Sequence, residues 1–138
     1  MHPSSIKRLK DKIRKLTNRN WSVSMEYRIK KLNQLKAGWI HYFKYCDMQS
    51  LMKEIDVWTR RRLRAVRWKE WKKVKTKKYN LIKLGVDKSK AWEYANSRKK
   101  YWRISNSWIL HKTLTIQYWK SQGFHGFYNY YSKVRNYT

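Results

Sequence analysis

The chain has 138 residues, with 35 Lys and Arg against 8 Asp and Glu, for a formal net charge of +27. A surface built only for solubility carries a net charge of about 2–8 in magnitude, so this one is suited to a polyanion. Nine Trp and eleven Tyr exclude a disordered basic tail, which would be poor in aromatics.

Four Gly and one Pro predict helices joined by short links. The first helix places Ile6, Leu9, Ile13 and Leu16 on one face and Lys7, Arg8, Lys12 and Arg14 on the other, with Ser4 or Ser5 as its cap. A polar break at residues 17–20 follows. Ser24 is the expected cap of a second helix, which carries Met25, Ile29, Leu32, Leu35 and Trp39 at helical spacing and ends near Phe43 or Tyr45. Gly38 inside it implies close helix packing or close approach of a ligand backbone, because an interior Gly otherwise costs about 1 kcal/mol.

A third helix begins near Asp47 or Ser50 and shows Leu51, Ile55, Trp58, Leu63 and Val66 on its apolar side. Three such helices with short links predict a three-helix bundle over residues 1–67. From Trp68 the texture turns to cations mixed with rings, so residues 68–138 are expected to form a smaller helical extension. Gly85 reads as the residue that ends a helix. Asp87 or Ser89 then caps a short one, residues 97–103 form an exposed connection, and one further helix runs from Ser105–Ser107 to Gly123. Phe124, Phe127, Tyr131 and Val134 close the chain at helical steps. The fold class is therefore all-α.

Catalytic constellations are absent from the sequence. Its four Asp and four Glu form no adjacent pair of the kind two-metal chemistry uses. Glu54 and Asp56 do not share a helix face, and Asp56 is expected to pair with Arg60 one turn on. No zinc spacing, phosphate loop or Cys–His pairing occurs, so neither a metal nor a cofactor is expected. Cys46, alone, reads as a partly buried thiol in a reducing compartment. No run of about 18 apolar residues could cross a membrane, and the N-terminal segment lacks the apolar stretch of a secretory leader. A cytoplasmic setting is expected.

Binding residues are abundant. Phosphates need cations, and unpaired bases stack on flat rings. The candidates for phosphate are Arg60, Arg61, Arg62 and Arg64; Lys69, Lys72 and Lys73; and Arg98, Lys99, Lys100 and Arg103. Trp71, Tyr101 and Trp102 are the stacking candidates, since they lie in basic, weakly periodic stretches. Trp39, Trp58, Trp92, Trp108 and Trp119 sit at helical spacing and read as core.

Leu35-Lys-Ala-Gly-Trp-Ile-His-Tyr-Phe43 resembles the Leu-x-x-Gly-Trp-x-x-Tyr-Phe signature of the maturase-specific region in group II intron-encoded proteins. Ile55-Asp56-x-Trp58 with the Arg60–Arg64 run is similar to the segment that follows it there, as is Trp68-Lys-x-Trp-Lys. Leu84-Gly85, Ala91-Trp92 and Tyr101-Trp-Arg-Ile-Ser-Asn-Ser107 resemble the C-terminal extension of bacterial members. The resemblance implies a helical thumb that clamps intron RNA and assists its folding and splicing beside a reverse-transcriptase palm. The Tyr-x-Asp-Asp carboxylates of that palm and a Cys/His endonuclease are missing from the sequence, so no copying or cleavage by these residues is expected. Lys100 stands where Gly is common in the family, and the Gly123–Phe127 stretch diverges. On the residues alone two other readings stay open: a DNA-binding or target-DNA recognition module, and a structural remnant docking to an anionic surface.

Overall fold

A computed structural model describes residues 2–136, and every regular element among them is an α-helix. Helix α1 (Pro3–Leu16) starts with Pro at a position where a missing N–H costs nothing. His2 caps it, its Nδ1 accepting from the Ser4 N–H at 3.1 Å, so the cap lies two and three residues before the two serines expected to provide it. Ser24 does cap α2 (Met25–Phe43), accepting from the Tyr27 N–H at 3.1 Å. Gly38 is not a packing residue within the chain. A methyl placed there meets nothing within 4 Å, and the position is exposed.

Helix α3 (Gln49–Glu70) runs straight through the expected boundary at residues 67 and 68. The change of texture at Trp68 is a change of surface, not of element: the Trp68 side chain is buried at the helix's end. Next come α4 (Val74–Lys83) and α5 (Lys88–Ala95), which pack on each other. Gly85 ends α4 as expected, with φ +99°, while the Gly85 and Val86 N–H groups return to the carbonyls of Ile82 and Leu81, each at 3.0 Å. The Asp87 carboxylate caps α5 by accepting from the Lys90 N–H.

The connection expected over residues 97–103 holds a single helical turn, and the segment expected to hold one helix before Gly123 holds two. They are the single turn α6 (Tyr101–Ile104), α7 (Trp108–Thr113) and α8 (Ile116–Ser121). The break between the last two falls at Leu114 and Thr115, where the Thr115 hydroxyl accepts from the Tyr118 N–H at 3.0 Å and starts α8 afresh. Helix α9 (Phe127–Asn136) then lies against α2 and α3, burying Phe127 and Tyr131.

Asp56 fixes that docking. Its carboxylate, 7% exposed, accepts from the N–H groups of Phe127 at 2.5 Å and Tyr128 at 3.0 Å, at the positive end of the α9 dipole. The expected Asp56–Arg60 ion pair does not form among the described residues; the carboxylate turns to the N–H groups that open α9, and Arg60 acts on Asp56 through its nearby charge. The Tyr131 hydroxyl donates to the Cys46 carbonyl at 2.6 Å and accepts from the Met48 N–H at 3.1 Å, tying α9 to the α2–α3 link. One buried apolar cluster thus runs from Leu9 to Tyr131.

Candidate nucleic-acid interface

The Arg60–Arg64 run lies on α3, and its members have different duties. Arg61 Nη2 donates to the Trp102 carbonyl at 2.9 Å, and its guanidinium lies 3.8 Å over the Trp102 ring centre. Arg62 Nε donates to the Thr17 hydroxyl at 2.6 Å. Arg64, only 4% exposed, donates from Nε to the Ser105 carbonyl at 2.7 Å. These three were expected on phosphates; each is first a strut, joining α3 to α6 or to the end of α1. A guanidinium can do this because its fork of donors matches several carbonyls without a carboxylate.

The struts bring α6 against the 17–23 link. Tyr101 and Trp102 stay 37% and 38% exposed, and the Arg19 guanidinium lies 5.3 Å over the Tyr101 ring. Trp102 lines a cleft of about 270 Å³ with Thr17, Arg19, Arg62 and Ala65. A second hollow of about 300 Å³ shares Arg19 and continues over Asn20, Trp21, Lys69 and Lys72. Lys69 Nζ is held by the Arg19 carbonyl at 3.2 Å and the Asn20 side chain at 2.8 Å. The link is itself fastened by the buried Arg28, which donates to the carbonyls of Leu16, Asn18 and Trp21 at 2.7–2.9 Å. Burial lowers the Arg28 pKa, with Glu70 opposing.

On another side of α3, Arg60, Arg64, His111 and Lys120 line an open groove of about 700 Å³ that no carboxylate lines. Burial first, then the charges of Arg60 and Arg61, push the Arg64 pKa down to about 10. Burial and then Arg64 and Arg61 lower His111 too. A phosphate in this groove would meet cations with no internal anion to displace.

The remaining candidates are simple. Lys72, Lys73, Arg98, Lys99, Lys100 and Arg103 are exposed, and their charged ends make no hydrogen bond or ion pair among the described residues. The ion pairs Asp11–Arg14, Arg67–Glu70 and Lys90–Glu93, among the described residues, each sit within one helical turn.

The rings divide differently from the expectation. Trp71 is 8% exposed and meets Trp68 edge-on, so it has no open face and its expected stacking role does not fit. Of the five Trp expected in the core, only Trp119 is buried. Trp92 and Trp108 are more than half exposed; Trp39 and Trp58 are half-buried, and Trp58 is flanked by the guanidiniums of Arg14 and Arg62. Arg19, His111 and Lys120 are lining residues missed in the sequence. Arg19 sat in a polar break, and nothing local brings residue 19 beside residue 101.

These features define a class: an all-α, cation-coated domain with rings set among unneutralised charges. The model of the group II intron maturase-specific domain matches residues 6–85, more than half of the chain, and the chain belongs to that family. Membership implies a maturase role in group II intron splicing. No curated protein matches the chain in a sequence search. The match spans α1 to the Gly85 turn. Helix α9, outside it, packs on two of the helices inside it. No helix among the described residues is long and apolar enough to cross a membrane, and no three metal-ligating side chains gather there.

Proposed function

We propose that the chain binds structured group II intron RNA and steadies its active fold for splicing, without chemistry of its own. One observation carries this reading: 35 cations face 8 carboxylates, so at least 27 cations have no carboxylate in the chain to pair with. Arg19, Arg62, Lys69 and Lys72 are among the cations that line two hollows beside Trp102 and Trp21. Phosphates satisfy the charges, while Tyr101 and Trp102 offer partly exposed rings to bases splayed from loops and bulges. A reverse-transcriptase palm is the second partner expected from the family's arrangement.

The test is binding of a folded group II intron RNA over a range of salt. Alanine at Lys72, Lys73, Arg98, Lys99, Lys100 and Arg103 flattens the slope of log affinity against log salt by about 0.7–0.9 for each phosphate the variant no longer neutralises. Trp102→Ala weakens binding about fivefold or more with the slope kept. An unchanged affinity and slope in the six-residue variant overturns RNA binding by this surface. Equal displacement by duplex DNA and by the intron RNA overturns RNA selectivity.

A further inference from the structure

The signature segment Gly38-Trp39-x-x-Tyr42-Phe43 is not consumed by the core. Its rings line a cleft of about 320 Å³ between α1 and α2, roofed on the α1 side by Arg8 and Lys12. The buried Leu9 contributes to its lining. Trp39 lies against Phe43 with ring centres 4.6 Å apart, and Tyr42 meets Phe43 edge-on at 4.7 Å. Tyr42 nevertheless remains 81% exposed, which packing does not explain.

We propose that this cleft is a separate RNA site that takes one unpaired nucleobase on Tyr42 and the adjoining phosphates on Arg8 and Lys12. The proposal rests on the RNA-binding reading above and adds a site that none of the three basic clusters includes. Three observations favour a base as the occupant. No carboxylate lines the cleft, so an anionic backbone meets no repulsion. Arg8 and Lys12 are four residues apart on one helix, both exposed, and the nearby Asp11 is already paired with Arg14 at 2.7 Å. The wall is aromatic, and a flat π-face is what any unstacked base can use whatever its identity. A duplex hides those faces. One turn before Tyr42 on α2, the exposed Gly38 leaves the helix surface without a side chain, so a ribose-phosphate backbone can come close there.

The experiment uses the full chain and an RNA hairpin with a single bulged 2-aminopurine. Controls are the same stem without the bulge and with an abasic bulge. Wild type quenches the probe and prefers the bulged RNA to both controls. Tyr42→Ala, at so exposed a position, keeps the wild-type melting temperature, loses the quenching and binds the bulged RNA about 5- to 10-fold more weakly. Tyr42→Phe keeps both. Arg8→Ala with Lys12→Ala flattens the salt slope by about 1.4–1.8. If the RNA binds with its salt dependence intact but neither the bulge nor Tyr42→Ala matters, the cleft assignment is overturned and the RNA-binding reading stands. If none of these RNAs nor the folded intron binds, both fall.

Discussion

Replacing Asp56 with Ala tests how the chain's end is held to its bundle. The carboxylate accepts from the buried Phe127 N–H and the part-buried Tyr128 N–H. Removing it leaves two donors without partners at about 1–3 kcal/mol each, the lower part of the range applying to Tyr128. The expected total is about 2–4 kcal/mol. A chain of 138 residues has an unfolding entropy near 0.3 kcal/mol/K from about 2.1 cal/mol/K per residue, so each kcal/mol moves Tm by about 3–4 °C. Asp56→Ala should melt about 7–14 °C below wild type by far-UV circular dichroism. Asp56→Asn keeps one acceptor oxygen and should fall about half as far. A Tm within about 2 °C of wild type for the Ala variant would refute this role. Acidity gives a second reading. Burial, the largest cause, raises the Asp56 pKa above its ordinary 3.8, while the two N–H groups, Arg60 and Lys36 oppose it. The folded chain thus holds this proton more tightly than the unfolded chain. Its contribution is fully present below the unfolded pKa and is lost as pH rises through the folded pKa. Glu70, raised mainly by burial, acts in the same direction, so wild type must be compared with Asp56→Asn in matched buffers. The Asn substitution should cost more near pH 3 than near pH 7, and the opposite order would contradict the raised pKa.

Two further perturbations probe the scaffold. Arg28→Ala removes charge-assisted bonds to three carbonyls of the 16–21 stretch, each bond worth about 1.5–3 kcal/mol, and should destabilise by at least about 3 kcal/mol. Amide exchange at residues 17–23 should quicken; unaltered exchange there would count against Arg28 as the fastener. Gly126→Ala sets a Cβ 3.0 Å from the Asp56 carboxylate at φ +91°, where Asp56 cannot retreat without losing the α9 cap. About 1–3 kcal/mol of strain is expected, a Tm drop of about 3–10 °C by the same melt, and a wild-type Tm would show that the turn relaxes freely.

The sequence was most legible where the physics is local. Ser24 caps α2 because its hydroxyl needs only the N–H three residues on, and Gly85 ends α4 because only the left-handed turn closes those carbonyls. Trp92 was misread from its helical spacing, and Trp71 from the basic, weakly periodic stretch around it. Helical spacing says which residues share a face, but which face is covered depends on elements far along the chain. Trp71 meets the core through Trp68, whereas Trp92 lies open under Lys78. The Arg60–Arg64 run was read as phosphate ligands because its acceptors are remote. The carbonyls of Trp102 and Ser105 and the Thr17 hydroxyl lie more than 40 residues away. Likewise Asp56 finds its partners at Phe127 and Tyr128, not on its own helix.

That difference explains how so basic a chain holds together. With 8 carboxylates for 35 cations, internal ion pairing cannot neutralise the fold. Arg28, Arg61 and Arg64 turn to backbone carbonyls instead, and a carbonyl satisfies a donor's geometry but leaves its charge in place. Arg60, Arg61 and Arg64 consequently repel one another across a partly buried surface, which adds to burial in driving Arg64 down to about 10. These guanidiniums donate to carbonyls inside the protein while their charge is left over. An anion arriving in the Arg60–Arg64–His111 groove relieves repulsion without breaking an ion pair. The cations that build the scaffold therefore also suit a polyanion, and binding one would stabilise the bundle by the same linkage that sets the affinity.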